Sequence, residues 1–169
     1  MKTERIMIRF GELSTKGKNK KDFIFQLGNN IRHALKDYKN LKYVIQMDHI
    51  YIDLNGEDED AIITRLQDVS GIHSFSLVSK IDADIENIKN KALEFIKSSS
   101  GKTFKVKTKR AEKTYPIHSE EINRMVAGKI LANTDWKVDV HNPDILLSIE
   151  IRQDGCYIFT KTIEGAGGY

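Results

Sequence analysis

The chain has 169 residues, 40% of them hydrophobic and 30% charged, with a net charge of +3. That balance describes a core-forming protein of one domain or two small ones and excludes a disordered tail. The single cysteine, Cys156, excludes an intrachain disulfide and a four-cysteine zinc site. No stretch is apolar over the length of a signal peptide or a membrane span, so a cytoplasmic protein with no membrane partner is expected. Neither half of the chain is strongly basic. Any affinity for nucleic acid must therefore come from local patches.

In chain order, Arg5 to Phe10 reads as a strand, followed by a polar, lysine-rich turn from Gly11 to Lys21. Phe23, Leu27, Ile31, Leu35 and Tyr38 then recur at helical spacing. Leu41 to Ile45 and His49 to Leu54 form a hairpin pattern around Met47-Asp48, ended by Asn55-Gly56. Glu57 to Gln67 reads as a helix with acids at its N-terminus, where the dipole favours them. A strand from Gly71-Ile72 through Val78 completes a βαββαβ order, the ferredoxin-like split unit.

The chain then divides near residue 80. Asp84 is a natural N-cap for a helix burying Ile85, Ile88, Ala92, Leu93 and Ile96. Ser98 to Gly101 stops it. Lys102 to Lys113 reads KTFKVKTKRAEK, in which Phe104, Val106 and Thr108 alternate with Lys105, Lys107 and Lys109. Period 2 marks a half-buried strand with a row of ammonium groups on one face, continued by Arg110 and Lys113. Ser119 is the expected N-cap of a helix to Leu131, with Ile122, Met125, Val126 and Ile130 inward. Trp136–Val140, Ile145–Ile151 and Tyr157–Ile163 are expected as strands, with turns at Asn142-Pro143 and Asp154-Gly155. The fold class is α+β.

No catalytic constellation stands out. HExxH, CxxC, G-x-S-x-G and Walker patterns are all missing from the sequence, and the five histidines lack ligand spacing. Catalytic and metal residues are expected to be none, and Cys156 is expected to be structural. Two readings of the lysine row remain open. Unpaired like charges are relieved by a polyanion, but edge lysines also protect a sheet from aggregation. The second reading leaves a protein-interaction or dimerisation module without RNA binding. A third class, a domain binding a small ligand or metal, lacks clustered ligands.

Arg9-Phe10-Gly11-Glu12, then Lys16-Gly17-Lys18-Asn19-Lys20 and Phe23, resembles the N-terminal signature of bacterial tRNA 4-thiouridine synthetases. Gly71-Ile72 with Phe75, Lys102-Thr103-Phe104, Lys109-Arg110 with Lys113, Asn142-Pro143-Asp144 and Glu164-Gly165-x-Gly167-Gly168 follow in that family's order. The resemblance covers the whole chain. It implies a ferredoxin-like domain over residues 1–80, a THUMP RNA-binding domain over 81–163, and the start of a linker over 164–169. It also implies a tRNA sulfurtransferase that makes 4-thiouridine at tRNA position 8 with ATP and magnesium. Sulfur would come from a cysteine desulfurase and also serve thiamine biosynthesis. The adenylating loop and sulfur-carrying cysteines of that family do not occur in this sequence, so the chain alone is expected to need no cofactor and to do no chemistry.

The role implied for the chain is to hold the acceptor stem and 3′ CCA end of tRNA; a homodimer stays open. Lys105, Lys107 and Lys109 would meet phosphates, and Arg110 would make a bidentate phosphate contact or stack on a terminal base. Lys113 lies beside them. Ser119 sits at a helix N-terminus, a ready anion site, and His118 is placed to stack on a base. Arg124 and Lys129 would extend the patch, as would Lys16, Lys18, Lys20 and Lys21 in the first domain. A solvated helix face is the plain alternative for Arg124 and Lys129.

Overall fold

A computed structural model describes residues 3–10 and 20–166. It separates into two compact units: Glu4–Val78 with the closing stretch from Thr162, and Ser79–Lys161.

In the first unit β1 (Thr3–Phe10), α1 (Lys20–Ala34), β2 (Lys42–Ile45), β3 (Ile50–Asp53), α2 (Glu59–Leu66) and β4 (Ile72–Ile81) follow one another. The sheet order is β2-β3-β1-β4, with β3 antiparallel to both β1 and β2. This is the expected split βαββαβ arrangement. Alternation sends Ile6, Ile8, Phe10, Ile50 and Ile52 to one face, where they pack with Ile24, Leu27 and Ile31 of α1 and Ile62 and Leu66 of α2. On the other face Arg5 Nε donates to Asp53 Oδ1 at 2.6 Å, and the guanidinium lies 5.0 Å over the Tyr51 ring. The Gln46 N–H donates to the His49 carbonyl at 3.0 Å and closes the hairpin around Met47-Asp48. Asn55 and Gly56 both take positive φ, 47° and 89°, and the Glu57 N–H returns to the Leu54 carbonyl at 2.9 Å. That is the primed turn for which Asn-Gly is suited. Glu57 is therefore spent on the turn, and α2 starts two residues later than expected with Asp58 as its N-cap.

The second unit contains the last residues of β4, then α3 (Ile85–Lys97), β5 (Thr103–Arg110), α4 (Ser119–Asn133), β6 (Lys137–Val138), β7 (Ile145–Arg152) and β8 (Gly155–Phe159). Its strand order is β4-β8-β7-β5-β6. β5 runs parallel to both β7 and β6, and α4 supplies the crossover that parallel strands need. Asp84 caps α3 as expected, accepting from the Asn87 N–H at 3.4 Å. Ile88, Ala92 and Ile96 of α3 and Ile122, Val126 and Ile130 of α4 meet Phe104, Val106, Leu147, Ile149, Ile151 and Ile158. No helix among the described residues is long and apolar enough to cross a membrane.

Two strand expectations are corrected. The strand expected over Trp136–Val140 is only Lys137–Val138, because the Asp139 carboxylate accepts the His141 and Asn142 N–H groups and turns the chain away. The strand expected over Tyr157–Ile163 ends at Phe159. A separate pair, β9 (Ile163–Glu164), joins β4 in the first unit, Phe75 opposite Ile163 and Ser74 opposite Glu164. The Gly165 N–H extends this with a bond to the His73 carbonyl at 3.0 Å, so this part of the expected linker is strand-paired. A Cβ on Gly165 would run into the carbonyl oxygen of Ile72. Gly165→Ala is expected to lower stability by about 1–3 kcal/mol, the range for a backbone clash at a packed site. Denaturant melting tests this, and unchanged stability would show that β9 is not held against β4.

Candidate nucleic-acid interface

The geometry of the cationic face follows from the alternation of β5. Phe104 is fully buried and Val106 nearly so, while Thr108 Oγ1 donates to Asn123 Oδ1 of α4 at 2.7 Å. Lys105, Lys107 and Lys109 therefore point away from the helices, the last two exposed. Among the described residues no carboxylate lies within ion-pair distance of these three. Glu112, the one acid of the basic stretch, is engaged elsewhere. It accepts the Thr114 hydroxyl at 2.7 Å and the Thr114 N–H at 3.2 Å, and those bonds hold its carboxyl below the usual range. Glu150 neighbours Lys109 in register but is bonded by Arg152 Nη2 at 3.0 Å.

Strand register adds a residue that the sequence pattern did not single out. Lys137 pairs with Thr103, which shares the face of Lys105, and is exposed. β6 has only two residues, too short for a period to show, so only the pairing reveals Lys137. β5 pairs with β7 from Phe104 to Arg110 but with β6 only at Thr103 and Phe104, so it lies near the sheet edge. The entry to β5 is fixed by Asp144, whose Oδ2 accepts the Lys102 and Thr103 N–H groups at 2.8 and 3.1 Å. Thr103 Oγ1 in turn accepts the Asp144 N–H at 2.9 Å.

Arg110 does not continue the lysine row. Alternation turns it to the helix side, where Nη1 donates to the Tyr115 carbonyl at 2.9 Å and to the Lys113 carbonyl at 3.4 Å. Nη2 lies 3.3 Å from His118 Nδ1, and since a guanidinium only donates, this ring nitrogen accepts. Arg110 thus braces the loop ahead of α4. The N-cap of α4 is His118 rather than Ser119, in extended conformation (φ −72°, ψ 154°) and with no side-chain cap bond. Ser119 is the first helical residue, followed by Glu120 and Glu121 in the first turn. Lys113 and His118 are exposed in that loop, and Arg124 is exposed on α4.

Lys129 is half-buried beside α3. There the Glu86 carboxyl is held below its usual range chiefly by its bond from Lys89, with Lys129 adding a weaker pull. In the first unit Lys20 and Lys21 open α1, Lys21 exposed. Lys16 and Lys18 lie outside the described residues. The residues thus fall into separate groups: Lys105, Lys107, Lys109 and Lys137 on one sheet face; Arg110, Lys113, His118 and Ser119 around the loop; Arg124 and Lys129 on α4; and Lys20 and Lys21 on α1.

Cys156 faces the core of the second unit and is fully buried. Burial, with a smaller contribution from Glu150, pushes its thiol up to about 12.

Residues 5–76 match the ThiI ferredoxin-like domain and residues 82–161 the THUMP domain. Over 171 aligned residues the chain is 49% identical to a probable tRNA sulfurtransferase of Bacillus subtilis (strain 168), covering 99% of this chain and 43% of that protein. The chain thus carries a ThiI ferredoxin-like domain followed by a THUMP domain, in a sequence similar to tRNA sulfurtransferases. It spans less than half the length of the curated relatives it matches. Among solved structures it is similar to a 4-thiouridine synthetase in complex with RNA and bound ATP (31% identity, TM-score 0.81, 98% of this chain and 43% of that one). It is also similar to PH1313 from Pyrococcus horikoshii (32% identity, TM-score 0.85, 98% of this chain and 56% of that one).

Two expectations follow from this geometry. Arg110→Ala removes charge-assisted bonds to two backbone carbonyls and should lower stability by about 1–2 kcal/mol in thermal melting. Arg110→Lys should not restore it, because one ammonium cannot reproduce the fork; full stability in either variant would remove the bracing role. For Cys156, the raised thiol pKa means the stabilising contribution is fully present below about pH 9 and is lost as pH rises toward about 12. The stability difference between the parent chain and Cys156→Ala should therefore shift against the parent chain over that window. The folded chain should also resist a thiol reagent at pH 8. Rapid labelling without unfolding would contradict the burial.

Proposed function

We propose that the chain is the tRNA-holding part of a tRNA sulfurtransferase. The observation that carries this reading is the row of Lys105, Lys107 and Lys109 on one sheet face, with Lys137 beside it and no carboxylate paired to the row among the described residues. Point charges spaced along a strand suit a phosphate backbone, whose neutralisation releases counterions and needs no base sequence. The similar 4-thiouridine synthetase crystallised with RNA supports a nucleic acid as the polyanion.

In finer detail, the chain would grip the acceptor stem through its lysines and the single-stranded 3′ CCA end through the Arg110–His118 loop. Arg110 is already committed to that loop, so its part is to present Lys113, His118 and the uncapped N–H groups at the start of α4. Glu120 and Glu121 weaken the same helix end as an anion site. The wider activity is proposed for a longer protein: ATP-dependent 4-thiouridine formation at position 8, sulfur from a cysteine desulfurase, and a contribution to thiamine biosynthesis in the cytoplasm. Among the described residues no cluster of three or more His, Cys, Asp or Glu is placed to hold a metal ion, and holding RNA requires neither magnesium nor ATP.

A second reading has its own observation. Val138 and Val140, 45% and 54% exposed, lie at and just beyond the two-residue edge strand β6, where a protein partner could pack. Salt separates the two. If about four phosphates are neutralised, the log–log slope of tRNA affinity against salt should be near −3, from roughly 0.7–0.9 per contact. Replacing Lys105, Lys107 and Lys109 together by Ala should flatten the slope by roughly 2–3 while changing stability little. A flat response of the unaltered chain would sink the RNA reading. Equal affinity for a stem lacking its 3′ overhang would sink the finer one.

A further inference from the structure

Phe25 is 67% exposed, the most exposed of the large hydrophobic side chains among the described residues. It lies on α1, at the flank of the buried stripe of Ile24, Leu27, Gly28 and Ile31. Helical spacing puts Lys21 one turn before it and Arg32 two turns after it on the same outward stripe. Both cations are exposed, and the Arg32 guanidinium is steadied 5.4 Å over the Tyr43 ring. Lys20 and Lys21 also sit in the first turn of the helix, where the dipole disfavours cations and Asp22 is the one acid that offsets them. The two cations outnumber that acid, so a phosphate beside them is favoured.

We propose that this stripe is a second RNA contact, in which the Phe25 ring stacks on an unpaired base while Lys21 and Arg32 meet the phosphates on either side. The inference rests on the tRNA-binding reading above and adds a site in the first unit. A protein-docking face would call for further apolar residues a turn from Phe25, but Asn29 lies there, with Asp22 and Gln26 alongside. One aromatic ring between cations instead matches the alternation of base and phosphate along a single strand. Stacking on an aromatic face is tolerant of base identity, which suits a chain that holds many RNAs.

The test uses the whole chain and a tRNA transcript with a free 3′ end. Phe25→Ala should weaken binding roughly 5- to 100-fold, the range for loss of one stacked base, without altering the salt slope. Its melting should not fall, since the ring is exposed and Ala is the better helix former. Phe25→Trp should keep the affinity and Phe25→Leu should not, because only a ring offers a stacking face. Lys21→Ala should flatten the slope by roughly 0.7–0.9. Parent-like affinity of Phe25→Ala, with weakened binding by the triple lysine variant, would overturn this inference and leave the RNA reading standing. Binding by Phe25→Leu equal to that of Phe25→Trp would also overturn it, as would loss of self-association in Phe25→Ala with RNA affinity intact. If the unaltered chain binds no RNA, both readings fall together.

Discussion

Seven residue pairs lock β5 to β7 in parallel register, from Phe104 with Ile145 to Arg110 with Ile151. A slip of one residue along that ladder would turn Lys105, Lys107 and Lys109 into the core and expose Phe104 and Val106. Burying even one unpaired ammonium costs several kcal/mol, so the core enforces the cationic face as strongly as it enforces itself. Asp144 sets where the ladder begins, since its carboxylate takes the first two free N–H groups of the strand. Gly101, at φ 139°, has no room for a Cβ against Asp144 and Trp136, so the chain can enter β5 this closely.

The lysine row carries an electrostatic cost that the fold accepts. Successive lysines on one face of a strand are roughly 7 Å apart, and their repulsion is about 0.6 kcal/mol per neighbouring pair in water. Nearby acids do not relieve it: Glu112 orders its own loop through Thr114, and Glu150 is held by Arg152. The net charge of +3 hides this arrangement, because acidic segments elsewhere balance the total without touching the row. A local excess of charge with modest net charge favours reversible, salt-sensitive binding over indiscriminate adhesion.

The alternation of β5, the Asn-Gly turn and the Asp84 cap were legible because each depends on a few neighbouring residues. What the sequence hid depends on partners far along the chain. Lys137 joins the lysine face only through its pairing with Thr103. Ile163–Glu164 looked like the end of a strand and a linker, but its partner is β4, some ninety residues earlier in the chain. Arg110 departs from the expected lysine row for a different reason. Charge continues along the chain past Lys109, whereas the strand period sends the next side chain to the opposite face, where the loop carbonyls hold it. His118 took the N-cap place from Ser119 because backbone conformation decides that position, and the extended geometry lies at His118.

The motif Asn142-Pro143-Asp144 has a structural role at the entry to β5. Asp144 and Thr103 exchange hydrogen bonds across the start of two parallel strands. Those N–H groups keep the Asp144 carboxyl below its usual range, so it is charged whenever the strand entry is formed near neutral pH. Removing it would frame β5 less firmly and blur the positions of every lysine after it. The cationic face of this chain is therefore a property of strand register. The lysines supply charge, and an acidic residue at the strand entry helps decide where that charge stands.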